Sequence, residues 1–266
     1  MVRVSRVGWR RDEENATDAL ISREWLVANG LGGYASGTVA GVTTRSHHGL
    51  LVAALPSPLG RTMMLDYLVD QVHLPDGTLH RLSAQEIDER LDLHGASHLE
   101  QFRLDLGLPV WTYRLGGFAI EKRVLLVHLQ NTVHVRYQLV GFPEEANAPH
   151  GLWLFLRPAM HFRPHNAPVS WAIEPYTLCL TGNRLEVSAA PTMPSLKMRV
   201  DGEDPAFEFY PERQEKVSYR WEAARGNDAR GTLWSPGQCR VHLTPETDSV
   251  LLASTESWET LSAVDP

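Results

Sequence analysis

Short apolar runs that turn back on themselves leave this chain little choice but sheet. Asp76-Gly77 follows the run Arg61–Leu74 and precedes the returning stretch Thr78–Leu82; Gly116-Gly117 separates Val110–Leu115 from Phe118–Leu129. Asp-Gly and Gly-Gly supply the positive φ of two-residue hairpin turns, so each pair predicts a hairpin. In the first run Leu65, Tyr67, Val69 and Gln71 fall on one face of a single long strand. Thr132–Val140 alternates apolar and polar residues, as a half-buried strand does, whereas Leu152–Arg157 is mostly apolar and predicts a strand buried on both faces. Further strands are expected at Ser170–Ile173, Tyr176–Thr181, Leu185–Ala189, Ser195–Val200, Phe207–Tyr210, Val217–Glu222, Cys239–Leu243 and Val250–Ser254. Pro143–Gly151 reads as a polar loop, and Ser83–Leu99 fits loop or one short helix equally. Asp12–Ala19, with Thr17 or Asp18 as a cap, predicts no more than a short helical turn. No window carries a helical apolar stripe of useful length. Many short strands with regular turns mean an all-β sandwich or barrel.

A chain of 266 residues, 43% hydrophobic, can bury the core of one large β domain. Nothing repeats and no linker divides it, so residues 1–266 read as a single domain with residues 1–20 as an N-terminal extension. The net charge of −7 and pI of about 5.9 give nucleic acid or anionic lipid no attraction. Cys179 and Cys239 are too few for a disulfide framework or a zinc set and fit a reduced cytosol. The N-terminus lacks a secretory h-region and no apolar run approaches membrane-spanning length, so the expectation is a soluble cytoplasmic protein.

The stretch Glu24–Leu55 holds six glycines, Gly30, Gly32, Gly33, Gly37, Gly41 and Gly49, between the apolar runs Trp25–Val27 and Leu50–Leu55. Such density predicts an irregular, shaped rim tied to a sheet. Two nucleotide patterns inside it fail. Gly30-Leu-Gly32-Gly-Tyr-Ala35 matches G-x-G-x-x-A, but a glycine-broken, β-branched segment follows where a pyrophosphate-binding helix has to start. Gly32–Thr38 imitates a phosphate loop without its lysine. Asn29, Tyr34, Arg45 and His48 remain as the leading set for a small polar ligand, with His161 and Arg225 as further binding residues. Each also has a bland reading: Arg45 as a brace on backbone carbonyls, His48 as a hydrogen-bonding group within its turn.

The same residues carry a resemblance. Arg23-Glu-Trp-Leu-Val-Ala-Asn-Gly-Leu-Gly-Gly-Tyr-Ala-Ser-Gly-Thr38, then Thr44-Arg45 and His48-Gly-Leu-Leu-Val-Ala-Ala-Leu55, resemble the N-terminal domain of bacterial and archaeal glycogen debranching enzymes of the amylo-α-1,6-glucosidase type. Pro109–Tyr113, Glu121-Lys122, Asn131-Thr-Val133, Arg225-Gly-Asn-Asp228 and Ser235-Pro-Gly237 extend the likeness along nearly the whole chain. The resemblance implies a large antiparallel β-sandwich, a galactose-mutarotase-like supersandwich. A separate helical toroid would follow it and carry the catalytic carboxylates, with residues 255–266 as the start of a linker to that absent domain. It also implies α-glucan (glycogen or maltooligosaccharide) and the toroid as partners, no cofactor, and no hydrolysis of α-1,6 bonds by this chain alone. Two departures stand out: the family's N-T-R-R-Y-H-G reads Thr43-Thr-Arg-Ser46-His47-His-Gly49, and an acidic pair is replaced by Gly231-Thr232.

Glycoside hydrolysis needs two carboxylates, one of them protonated. Glu24, Asp66, Asp70, Glu121, Glu174 and Glu222 read mostly as solvated strand-face charges, none in a setting that raises a pKa. His47-His48 would point apart on an extended chain, and Pro164 breaks the helical spacing of His161 and His165, so no metal site is expected. Of the eight tryptophans, Trp25, Trp111 and Trp153 sit in apolar strands and suit the core, while Trp171 and Trp234 lie beside loops and suit a sugar platform. Two competing readings are a stand-alone enzyme of aldose-mutarotase type, using His48, His161 and Glu222 as acid and base, and a purely structural docking domain with an exposed apolar patch.

Overall fold

The computed structural model describes residues 16–87, 89–143 and 151–264, so most of the Pro143–Gly151 loop and of the N-terminal extension lies outside the described residues. Helix α1 (Ala16–Ser22) leads into a first sheet whose members β1 (Glu24–Ala28), β2 (Tyr34–Thr38), β3 (Gly49–Ala54) and β4 (Arg61–Leu65) pair in chain order. Thr17 and Asp18 fall within α1. In a second sheet β5 (Tyr67–His73) and β6 (Leu79–Arg81) form the Asp76-Gly77 hairpin. There Gly77 takes φ +83° and Asp76 Oδ1 accepts the Thr78 N–H at 2.9 Å. Ser83–Leu99 contains a two-stranded ribbon, β7 (Gln85–Ile87) and β8 (Arg90–Asp92), then a 3-10 turn at Gly95–His98.

The largest sheet begins with β9 (Leu99–Asp105), β10 (Leu108–Leu115), β11 (Phe118–Leu126) and β12 (Thr132–Gly141), including the expected Gly116-Gly117 hairpin. β13 (Leu152–Ala159) joins β5, and β14 (Arg163–Pro164) joins β4. β15 (Thr177–Thr181), β16 (Arg184–Ser188) and β17 (Leu196–Asp201) extend the largest sheet. β18 (Glu203–Ser218) and β19 (Arg230–Leu243) form a long hairpin in the second sheet, with α2 (Arg220–Ala224) at its turn. β20 (Ser249–Ser254) fills the gap between β12 and β17. Helix α3 (Trp258–Val264) then packs back through buried Leu261 and a bond from Trp258 Nε1 to Glu186 Oε1 at 2.6 Å.

The strands pair antiparallel throughout the described sheets, and one core draws on all three larger ones: Leu51 and Met64, Ile120 and Val133, Leu154 and Val241 are all sealed from solvent. The architecture is all-β, an antiparallel sandwich. A buried ion pair ties two of its sheets together. Lys122 Nζ on β11 meets Asp70 Oδ2 on β5 at 2.6 Å, and Tyr137 on β12 donates to the same oxygen at 2.9 Å.

Four expectations change. Arg61–Leu74 is two strands in two sheets, broken at Asp66, because the chain crosses from one sheet to the next there. β13 alternates buried and half-buried residues; it is β5 that buries both faces, Leu68 and Val72 toward the main core and Tyr67 and Val69 toward a second cluster with Val169, Tyr219 and Leu233. Ser170–Ile173 forms no strand, since Ser170 is bonded to Asp228 rather than to a neighbouring ladder. Val217–Glu222 ends in helix, because β18 stops at Ser218 and Trp221 N–H turns to Thr44 O at 3.1 Å.

Candidate functional site

The glycine-dense rim is built around Asn29. Its Oδ1 accepts the N–H groups of Leu31 and Gly33, both at 2.9 Å, and its Nδ2 donates to Gln130 O at 2.9 Å and Asn131 Oδ1 at 3.0 Å. Asn131 in turn takes the Ala54 N–H at 2.7 Å. A Cβ on Gly33 would stand 2.7 Å from Asn29 Nδ2 and 2.9 Å from Val52 O, so only glycine fits there. Asn29 is fully buried and its amide is fully bonded. It shapes the rim.

Beyond β2 the loop Thr43–Gly49 is clamped from three sides. Arg45 Nε meets Glu24 Oε1 at 2.5 Å, and His48 Nε2 lies 3.5 Å from the same oxygen. Thr44 N–H donates to His48 Nδ1 at 3.2 Å, which requires that nitrogen unprotonated. Burial lowers the His48 pKa to about 4 against the pull of Glu24, so the ring is neutral at pH 7. Glu222 closes the second side. Its Oε1 accepts Ser46 N–H and Oγ–H at 3.3 and 3.2 Å, and its Oε2 accepts Asn227 Nδ2 at 2.9 Å. Burial raises this carboxyl, but those bonds outweigh it and hold its pKa below the usual range. On the third side Arg163 Nη2 donates to Ser46 O at 2.6 Å, while Tyr34 Oη–H reaches His47 O at 3.0 Å.

Behind this loop lies a sealed polar joint. β4–β5 and β13–β14 cross together from the second sheet to the first, and His161 N–H donates to Asp66 Oδ2 at 2.7 Å at the crossing. Asp66 Oδ1 and His161 Nε2 are buried without hydrogen-bond partners. Burial lifts the Asp66 pKa to about 7, against the field of Arg163, and lowers that of His161 to about 4. The sequence expectation of ordinary carboxylates is therefore corrected: Asp66, Asp70 and Glu222 are buried, and Asp66 carries a raised pKa. At 2% exposure Asp66 is closed off from solvent.

An open cleft of about 680 Å³ lies on the outer face of the second sheet. Val169–Ile173 form one wall, Gly231 and Thr232 the floor, and Glu89, Lys216 and Arg230 are at its border. A Cβ on Gly231 would come within 2.6 Å of Val169 O, so glycine there lets the wall sit directly on β19. Trp171 is 51% exposed, and neighbouring Ser170 is fixed by Asp228 Oδ2 at 2.9 Å (N–H) and 2.6 Å (Oγ). A second groove of about 410 Å³ shares Glu89, Ser218 and Arg230 with the cleft and adds Glu86, Arg220, Asn227 and Asp228. The two adjoin through those shared residues as one trough, lined by the exposed Trp171 indole in the cleft and by the paired polar groups in the groove. Trp234, the other expected platform, is buried against Tyr176 with ring centres 4.7 Å apart and belongs to the core.

Residues 23–250 match the family described as glycogen debranching enzyme N terminal. The chain belongs to that family. No curated protein matches it. Among solved structures, a bacterial glucoamylase complexed with acarbose is similar at 8% identity, with a TM-score of 0.38 over 92% of this chain and 32% of that one. The chain thus spans about a third of that glucoamylase.

In this debranching-enzyme N-terminal domain, Tyr34, Arg45 and His48 do gather round one loop, and Glu24, Ser46, Arg163 and Glu222 complete it. His161 belongs to the joint behind, where it feels the charge of Arg163. Arg225 is exposed just past α2, where its N–H closes the helix on Glu222 O at 3.1 Å. Neither departure from the family pattern is idle: Ser46 is bonded to Glu222, and Gly231 is what brings the cleft wall to β19. Sequence reading missed Glu86, Glu89 and Arg230, which no local pattern marks. Asn227 and Asp228 lay in plain view within Arg225-Gly-Asn-Asp228. Metal-ligand spacing occurs at His80, His94 and His98, on a different part of the surface from the histidines singled out by sequence.

Proposed function

We propose that this chain is a non-catalytic module of the debranching type, which positions α-glucan in the Trp171 trough and docks on a helical-toroid glucosidase domain. The observation that carries the reading is the pairing of one exposed indole with a row of planar polar groups along an open groove. Sugar rings present a C–H face to an aromatic and hydroxyls to carboxylate, amide and guanidinium groups. Glu86 with Arg220, and Asn227 with Asp228, supply those groups at fixed positions. Arg45 and His48 then serve the module by holding the rim above α2, and Arg225 is exposed in the turn between Ala223 and Asn227, two residues that line the trough.

The acids support a binding rather than a hydrolytic role. Both oxygens of Glu222 are taken by Ser46 and Asn227, Glu89 is paired with Arg230, and Asp66 is enclosed. The same saturation of Glu222 removes the base that the mutarotase reading needs. For docking, Leu26 on edge strand β1 is 62% exposed, and Leu31 and Leu129 are exposed beside the Asn29 loop. Among the described residues no helix is long and apolar enough to cross a membrane.

Titration calorimetry and tryptophan fluorescence with maltooligosaccharides test the binding role. Binding is expected in the wild type and a roughly tenfold or greater weakening in Trp171→Ala, with its unfolding midpoint unchanged. Absence of heat and of any fluorescence change overturns it, and glucose release from a limit dextrin by the purified chain overturns the non-catalytic assignment.

A further inference from the structure

Three histidines that the glucan reading does not use converge beside the second sheet. His80 is on β6, and His94 and His98 bracket the 3-10 turn at i and i+4. One ring nitrogen from each lies within 4.8 Å of the others. The closest two, His80 Nδ1 and His98 Nε2, are 3.2 Å apart. Two imidazole nitrogens sharing one tetrahedral zinc at 2.0–2.1 Å stand about 3.3 Å apart. The His94 ring meets the His98 ring edge-on with centres at 5.5 Å.

The backbone that presents these rings is held by bonds of its own. Gly95 packs so closely on the neighbouring strand connection that a Cβ would sit 2.3 Å from Ser83 O, which fixes the turn next to β6. Arg81, adjacent to His80, pairs with Asp92 and donates to Gln85 Oε1 at 2.5 Å. Asp92 Oδ1 accepts the His94 N–H at 2.9 Å, and Ser97 Oγ–H donates to His94 O at 2.6 Å.

The Thr78 hydroxyl sets the tautomer of His80. Thr78 Oγ1–H donates to Asp76 Oδ1 at 2.6 Å, so Thr78 Oγ1 is left to accept from His80 Nε2–H at 3.1 Å. The proton is then on Nε2, and the Nδ1 lone pair faces His98. Metal-binding histidines have this arrangement: a neutral ring, one free lone pair, and the other nitrogen anchored to an oxygen.

We propose that His80, His94 and His98 bind a divalent transition metal of the zinc class. Three imidazoles suit zinc, nickel or copper, and three protein ligands leave a further position for water. His94 is exposed, so an ion has a direct path in. The bound metal clips β6 to the 94–98 turn and closes the segment that carries the β7–β8 ribbon. Glu86 and Glu89 of that segment border the trough, so the metal stiffens one of its edges. The arrangement without metal is a plain N–H···N bond from His98 to His80.

The experiment uses the full chain, stripped with a chelator and titrated with Zn²⁺ and with Co²⁺. One equivalent should bind, Co²⁺ should develop the visible bands of a low-coordinate imidazole site, and Zn²⁺ should raise the thermal midpoint. His80→Ala and His98→Ala should each abolish the midpoint rise. Thr78→Val leaves all three ligands in place and should weaken binding by about 10–100-fold. The proposal is overturned if the wild type binds no better than the His80→Ala/His98→Ala double variant. It is equally overturned if those changes have no effect while His47→Ala/His165→Ala, at the other close histidine pair, removes binding.

Discussion

Asp66→Asn isolates the cost of an acid enclosed at the sheet crossing. Asp66 is 2% exposed and burial lifts its pKa to about 7, with Arg163 and the backbone N–H bonds pulling the other way. In the unfolded chain the carboxyl titrates near about 3.9. Between those values the folded protein holds a proton that the unfolded chain has released, so stability falls as pH rises through the window. The whole displacement is worth about 4 kcal/mol, of which about 3 falls between pH 4.5 and 7.5. His48 and His161 act oppositely. Their folded pKa values are lowered to about 4, so the unfolded chain binds the extra proton up to about pH 6.5 and stability rises with pH across that range. Asparagine keeps an acceptor for the His161 N–H while removing only the carboxylate's contribution. Urea unfolding of the variant and the wild type at a series of pH values is the assay. The stability difference, variant minus wild type, should grow in the variant's favour by about 3 kcal/mol from pH 4.5 to 7.5. A difference that stays constant across that range refutes the reasoning, because it means that enclosure leaves the acid titrating as if in water.

Lys122→Met strands Asp70 as a lone buried charge and should destabilise by about 3–5 kcal/mol in denaturant unfolding, most of it regained on adding Asp70→Leu. Asn29→Ala leaves the Gly33 N–H and the Asn131 amide short of partners and should cost about 2–4 kcal/mol, with faster amide exchange at residues 31–33. Gly231→Val drives a side chain toward Val169 O, so it should displace the cleft wall and weaken maltooligosaccharide binding about tenfold, measured by calorimetry, while costing about 1–3 kcal/mol of stability.

The fold was legible wherever the signal was local. Asp76-Gly77 and Gly116-Gly117 marked their hairpins, and the alternation of Thr132–Val140 marked β12. The crossing at Asp66 was not legible, because the run from Arg61 to Leu74 keeps its hydrophobic character through the break and only the pairing with β13 and β14 divides it. The end of β18 was equally silent: Tyr219–Glu222 reads as strand, and the bond that turns it into helix comes from Thr44, far away in sequence. The candidate site shows the same division. An indole beside a loop suggested Trp171, and the glycine stretch suggested a rim. Glu89 and Arg230 meet across 141 positions, a pairing that nothing short-range encodes, and Asn29 proved to be part of the framework because its partner sits 102 positions on.

That Asn29–Asn131 amide pair dictates an order of assembly. The loop it shapes lies near the start of the chain, yet part of its bonding waits until the head of β12 has been laid into the largest sheet, after the ten intervening strands β2–β11. Closing so long a segment is slow compared with forming a hairpin, so the rim sets after the local hairpins and is lost early when β12 loosens.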